Sequence, residues 1–217
     1  SNVDLGSGIG LTNKGSSDGM IIKYTADGDI QWAKAIGGNG YDNISSVIET
    51  GDGGIVIGEN FSSGSIDLEN GESLSNKGSV DGMIIKYNAK GVIEWANQIG
   101  GNQIDTITAI VETSDEGIIV SGFFESTNIE LGNGINLMHK GNGYTDNGML
   151  IKYSKTGEAE FGQSIVSGST FGNVYIKSLA KCDDGGIIAG GYFDGFIEFG
   201  NGIGLAGHDM FNEDGMI

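Results

Sequence analysis

One short phrase recurs along the chain and sets its organisation. Asp18-Gly-Met-Ile-Ile-Lys-Tyr24 returns as Asp81-Gly-Met-Ile-Ile-Lys-Tyr87 and as Asn147-Gly-Met-Leu-Ile-Lys-Tyr153, and it begins again at Asp214-Gly-Met-Ile217. The spacings are 63, 66 and 67 residues. Three further families of matches keep the same register. Ile30-Gln-Trp32 matches Ile93-Glu-Trp95, with Phe161 in the tryptophan position of the next copy. Ile55-Val-Ile57 matches Ile118-Ile-Val120 and Ile187-Ile-Ala189, and Val3-Asp-Leu5 matches Ile66-Asp-Leu68, Ile129-Glu-Leu131 and Ile197-Glu-Phe199. A fixed period of this length marks one supersecondary unit that stacks on copies of itself. The drift from 63 to 67 falls in two Gly-, Ser-, Thr- or Asn-rich places, between Lys140 and Asn147 and between Ser167 and Ile176. Both read as loops that accept insertion.

Within a unit the apolar runs are short and bounded by turn residues, so each unit reads as strands. The copy beginning at Asp105 predicts strand a over 105–113, strand b over 118–124, a hairpin over 128–138, strand c over 147–153 and strand d over 159–165. The a–b turns are Gly51-Asp-Gly-Gly54, Ser114-Asp-Glu-Gly117 and Asp183-Asp-Gly-Gly186. The c–d turns are Ala26-Asp-Gly28, Ala89-Lys-Gly91 and Lys155-Thr-Gly157. Each ends on glycine, the residue expected to take the left-handed position of a tight hairpin. The inserted hairpin carries Asn70-Gly71, Asn133-Gly134 and Asn201-Gly202, the strongest short hairpin signal. No segment keeps a helical period.

Strands b and c are apolar without alternation, as in Gly54-Ile-Val-Ile57 and Met20-Ile-Ile22. A sheet with one wet face alternates, so these runs predict sheets covered on both faces. The blade of a β-propeller, held between its neighbours, meets that condition. The expected fold is therefore all-β, a partial β-propeller of about 3.5 repeats of 63–67 residues, with four strands per blade plus the inserted hairpin. The divisions are a partial blade at 1–41, blades at 42–104 and 105–171, and a partial blade at 172–217 of one domain. The alternative is a β-solenoid, against which no sub-period near 21 residues is visible. Units interrupted at both ends suggest either a piece of a longer chain or a partial propeller completed by another copy.

The run Asp-Gly-Met-Ile-Ile-Lys-Tyr, followed by Ile-Glu-Trp-Ala and then Ile99-Gly-Gly101, resembles the bacterial SBBP-type β-propeller repeat, and so does the later Asp52-Gly-Gly-Ile-Val-Ile-Gly58. The likeness extends over essentially the whole chain. It implies a propeller in a secreted or cell-surface protein and implies no shared catalytic set. The third unit departs from the pattern at Phe161 and at Val166-Ser167, which replaces the Gly-Gly of 37–38 and 100–101.

Composition narrows the function classes. Glycine numbers 41 and proline is absent, which suits many tight turns. The net charge is −18, and every Lys+Arg residue is lysine. Nucleic acid calls for a cationic footprint, so that class is rejected, and anionic membrane surfaces are disfavoured. No apolar stretch approaches the roughly 18 residues of a spanning helix, and no secretory signal is visible. The lone Cys182 allows no disulfide within the chain.

Candidate chemistry is sparse. Asp27 and Asp29 suggest a calcium loop, but their counterparts are Lys90 and Val92. Asp52, Asp115 and Asp184 do repeat and read as turn formers. His139 and His208 hold near-equivalent loop positions, where Lys14, Lys77, Lys140 and His208 align, and no zinc-type cluster is present. Cys182 aligns with Thr50 and Thr113 and reads as a threonine-sized filler. Trp32 and Trp95 read as wedges between sheets, with sugar stacking as the alternative. Asn43-Ile-Ser45 and Asn60-Phe-Ser62 match the glycosylation pattern, which an Asn- and Ser-rich chain produces by chance. Lys23, Lys86 and Lys152 sit inside apolar strands, and each is expected to meet a carboxylate or reach solvent. No nucleophile elbow, catalytic carboxylate pair or phosphate loop appears.

These readings predict no catalytic residue, no cofactor and no assigned metal ligand. The expected function is a non-enzymatic, secreted or cell-surface propeller with a structural, adhesive or assembly role. Its expected partners are other copies or further blades, or a surface glycan, without nucleic acid or membrane insertion. A lectin-like propeller and a propeller domain of a larger secreted enzyme are the alternatives.

Overall fold

The computed structural model describes residues 2–6, 8–140, 145–169, 171–198 and 203–206. His208, the Asn201-Gly202 turn, the renewed phrase at 214–217 and residues 141–144 of the first insertion lie outside them. The described residues are all-β, in small antiparallel sheets without a helix.

The chain opens on the hairpin β1 (Asn2–Asp4) and β2 (Gly10–Thr12), then pairs β3 (Gly19–Tyr24) with β4 (Ile30–Ile36). A full unit follows: β5 (Asp42–Glu49), β6 (Ile55–Phe61), the hairpin β7 (Ser65–Asp67) and β8 (Ser73–Ser75), β9 (Asp81–Tyr87) and β10 (Ile93–Ile99). The next repeats it: β11 (Asp105–Glu112), β12 (Ile118–Phe124), the hairpin β13 (Asn128–Gly132) and β14 (Ile135–Met138), β15 (Asn147–Tyr153) and β16 (Ala159–Ile165). Last come β17 (Val174–Lys181), β18 (Ile187–Phe193) and the hairpin β19 (Phe196–Glu198) and β20 (Gly204–Ala206). The two full units form four-stranded sheets in the orders β5-β6-β9-β10 and β11-β12-β15-β16, and each inserted hairpin is a separate two-stranded sheet.

The sheets lie against one another in sequence, β3 on β5, β5 on β11 and β11 on β17. Three apolar cores fill the seams. Along β6, Ile55 and Ile57 enter the core shared with Ile21 and Ile36, while Val56 enters the core shared with Ile107 and Val120. Along β9, Met83 and Ile85 point into the first of these and Ile84 into the second. That division explains the unbroken apolar runs: alternate side chains leave opposite faces, and both faces are dry. Every position of β6 and β9 is buried. In β3 and β18 the expected two-sided burial is not met, because among the described residues no further unit covers the outer face of β3–β4 or of β17–β18; in the full unit between them, Met83 and Tyr87 rest on the preceding sheet and Val56 on the following one. The described residues close neither a ring nor a solenoid.

The turns refine one expectation. Gly28, Gly91 and Gly157 close the c–d turns with φ of 90°, 76° and 84°, as expected. In the a–b turns the left-handed residue is one place earlier, at Gly53, Glu116 and Gly185. The final glycine there answers a different need. A Cβ on Gly54 would stand 2.1 Å from Lys86 Nζ and 2.5 Å from the Tyr87 carbonyl oxygen. That glycine keeps open the space a buried lysine occupies.

Candidate functional site

The repeated lysines and turn aspartates meet at one end of the sheets. Strand pairing sets Val56 opposite Lys86 and Ile119 opposite Lys152. Each lysine then reaches the a–b turn of its own unit. Lys86 Nζ donates to both Asp52 oxygens, at 3.0 and 2.9 Å, and lies 3.2 Å from Glu94. Lys152 pairs with Asp115 and, at 2.9 Å, with Glu160. Asp52 Oδ1 also accepts from the Thr50 hydroxyl at 2.6 Å and from the Gly54 N–H at 2.8 Å. The Thr50 hydroxyl, Lys86 and the Gly54 amide together hold the Asp52 carboxyl well below the usual carboxylate range. Lys152 first and Thr113 second do the same for Asp115. The aspartates are turn formers, as expected, and they also neutralise a strand lysine; Lys23 lies 3.8 Å from Glu49 instead. Replacing Lys86 with Met is expected to move the Asp52 titration upward while Asp115 stays in place. Carbon-detected NMR of the carboxyl groups reads both.

Trp95 sits beside this group, at the seam between the two four-stranded sheets. Its indole packs on the c–d turn of the next unit, where a Cβ on Gly157 would stand 2.7 Å from the ring. The indole N–H donates to the Lys155 carbonyl at 3.0 Å, and the ring centroid lies 6.3 Å from that of Tyr153. Trp32 repeats the contact one unit earlier, on Gly91 and 6.4 Å from Tyr87. A cleft of about 450 Å³ opens above, lined by Thr50, Lys86, Glu94, Trp95, Glu112 and Lys155 among others. Its polar groups are largely engaged: the Gly51 N–H donates to both Glu112 oxygens at 3.0 Å, and Lys155 lies 3.4 Å from Glu116. Truncating Trp95 to Ala removes a half-buried aromatic and one hydrogen bond. An expected loss of about 2 to 3 kcal/mol is measurable by urea unfolding; no loss would show that the ring is not part of the seam.

The opposite end holds buried acids that sequence reasoning did not single out. Asp42 Oδ1 accepts from the Ser62 and Ser63 N–H groups, and its Oδ2 accepts from the Gly38 N–H and the Ser63 hydroxyl. Asp105 repeats the pattern with Gly101 and Ser126. Burial nevertheless raises the pKa of Asp105, and that of Asp81. Glu59, in β6, is different. It is fully buried, and neither carboxyl oxygen has a hydrogen-bond partner among the described residues. Burial first, then the nearby charges of Asp42 and Asp18, push its pKa up to about 9. Repeat alignment sets Glu59 opposite Gly122 and Gly191, so its one signal in the sequence is a charge where the other copies have none.

The remaining candidates stay apart. Asp27 and Asp29 lie exposed in a c–d turn, and among the described residues no group of three or more His, Cys, Asp or Glu is placed to hold a metal ion. His139 contacts the Thr145 carbonyl oxygen at 2.7 Å and stands edge-on to Phe124. Lys14 and Lys77 use their backbone N–H groups to bind Asp18 and Asp81. Cys182 is half-buried and bonds through its N–H to the Gly186 carbonyl, the bond that Thr50 and Thr113 make to Gly54 and Gly117. Asn60 is buried and bridges two sheets, donating to the Ile107 carbonyl at 2.9 Å and accepting its N–H at 2.7 Å, which leaves the amide no room for a glycan. Asn43 is exposed. No family model matches the chain, and no curated protein matches it.

Proposed function

We propose that the chain is a stretch of β-propeller of the SBBP-repeat kind, acting outside the cell as a non-enzymatic structural, adhesive or assembly module. The observation that carries the reading is the repeated seam. Trp32 and Trp95 each wedge onto the glycine turn and tyrosine of the following sheet, and Lys86 and Lys152 are each neutralised within their own unit. The repeated tryptophans thus join sheet to sheet, as stacked repeats require, while the repeated lysines brace the a–b turn of their own sheet. Up-and-down antiparallel sheets with dry faces suit blades. They suit a solenoid less well, since its coils pair in parallel, and parallel bridging here is confined to Ser17–Tyr41 and Val80–Ile104 among the described residues. The outside location rests on the resemblance of the repeat.

A second reading is a glycan-binding propeller, favoured by the cleft beside Trp95, where an aromatic ring and several carboxylates share one wall. Screening the chain against glycosidic, ester and peptide substrates, together with a glycan array, separates the readings. The structural reading expects neither turnover nor glycan binding. Turnover abolished by one substitution would overturn it, and glycan binding lost in Trp95→Ala would favour the second.

A further inference from the structure

Asparagine followed by glycine occurs four times among the described residues, at Asn39-Gly40, Asn70-Gly71, Asn133-Gly134 and Asn147-Gly148. The pair carries a latent reaction, because a glycine has no side chain to keep its backbone nitrogen from the preceding asparagine Cγ. The dipeptide is the same at all four places, so the surroundings decide which of them reacts.

Three are held. Asn147 is buried at the start of β15, and Gly148 lies in the ladder between Phe123 and Ile165. Asn39 Oδ1 accepts the Gly64 N–H at 3.2 Å, and the Gly40 N–H donates to the Ser63 hydroxyl at 2.7 Å. Gly40 is so crowded that a Cβ there would stand 2.6 Å from the Ser63 nitrogen. Asn133 is exposed, but its Nδ2 donates to Glu158 Oε2 at 2.9 Å and to the Ala159 carbonyl at 3.2 Å. Those two bonds tie its amide to the start of β16.

Asn70 differs. It and Gly71 are exposed at the tip of the β7–β8 hairpin. Nothing lies within 4 Å of a Cβ on Gly71, whose φ is 88°. Among the described residues the Asn70 side chain bonds within its own turn alone. Its Nδ2 donates to Glu72 Oε2 at 2.9 Å, and its Oδ1 accepts the Glu72 N–H at 3.1 Å. The second bond folds the amide back over the turn. It also sets a donor on the oxygen that becomes negative when Cγ is attacked. The Gly71 N–H is bonded to the Leu68 carbonyl at 3.0 Å, at an exposed tip where local opening frees it.

We propose that Asn70 is a site of self-modification in the folded chain, converted through Gly71 to aspartyl and isoaspartyl residues while Asn39, Asn133 and Asn147 persist. A solvent base takes the Gly71 amide proton as that nitrogen bonds to Asn70 Cγ. The negative oxygen is met by the Glu72 N–H. The Cγ–Nδ2 bond then breaks, and Nδ2 leaves as ammonia with a proton from water. Water opens the resulting cyclic imide at either carbonyl. The sum consumes one water and releases one ammonia, and nothing is oxidised or reduced. The product carboxylate faces Glu72 where an amide donated before, so a hydrogen bond becomes a like-charge contact. The hairpin that carries it also carries Glu69, the partner of Lys34 in β4, so the change accumulates at a seam between sheets.

Peptide mass spectrometry with fragmentation tests this on the full chain, incubated folded at mildly alkaline pH and sampled over time. Each mass gain is assigned to its residue. Asn70 is expected to convert about tenfold faster than Asn133 or more, the worth of the two bonds that hold the Asn133 amide. In urea concentrated enough to unfold the chain, the two rates are expected to converge. Asn39, Asn133 or Asn147 reacting as fast as Asn70 in the folded chain, an Asn70 that stays unmodified, or a gap that survives unfolding overturns the proposal.

Discussion

Replacing Glu59 with Gln is expected to make the protein more stable at neutral pH and to remove a pH dependence that the parent shows. In the folded chain the Glu59 carboxyl is fully buried beside Asp42 and Asp18, and its pKa stands at about 9. In the unfolded chain it returns to about 4.5 and ionises. A group whose folded pKa is raised contributes its full share below the unfolded value, and that share is lost as pH rises toward the folded one. Between pH 4.5 and 9 the parent therefore loses up to about 1.4 kcal/mol per pH unit through this residue, or about 3 kcal/mol by pH 7. Gln has the same shape and no proton to lose. Parent and variant are expected to unfold at similar urea concentrations at pH 4 and to diverge by about 3 kcal/mol at pH 7. Parallel pH profiles for the two proteins would show that Glu59 is ionised in the folded state.

Gly122→Ala is expected to lower stability by about 3 kcal/mol. A Cβ at this place in β12 would stand 1.8 Å from the Thr106 carbonyl oxygen and 2.7 Å from Met149 Cε. Methionine can turn aside; the carbonyl belongs to the neighbouring strand, next to the register shift between Ile107 and Ala109, and cannot move without breaking the β11–β12 ladder. Gly191 is under the same constraint, 1.9 Å from the Tyr175 oxygen. Gly64→Ala is the control, because nothing lies within 4 Å of its Cβ, and its thermal midpoint should stay within about a degree or two of the parent. Equal midpoints for Gly122→Ala and the control would refute the packing account.

Repeat alignment and packing give different answers at this one position. Residues 59, 122 and 191 occupy the same place in the unit, and one copy carries a glutamate, so alignment alone calls the place tolerant. The fold makes it intolerant at 122 and electrostatically costly at 59. Lys86 shows the reverse case. Its phrase was legible as a lysine within an apolar strand in need of a carboxylate, and the aspartate that repeats with it, Asp52, is the one it meets. The a–b turn is legible as a hairpin, while the need for its last glycine, room for the lysine head and the Tyr87 carbonyl, comes from the neighbouring strand.

The sequence by itself determined the strands, their grouping into units and the two-sided burial of strands b and c in the two full units, because period, apolar runs and turn residues act within a few residues of one another. The boundaries read for the unit starting at Asp105 agree with those of β11 to β16 to within a residue, except that the hairpin resolves into β13 and β14. Only the tertiary structure decided what happens across the seams: that Trp95 rests on Gly157, that Asn60 clasps the backbone at Ile107, and that Glu59 is shut away beside two aspartates. Those contacts join residues about 50 positions apart or more, or depend on a whole sheet closing over one side chain. Burial and desolvation belong to that closure, and no local pattern of residues encodes them.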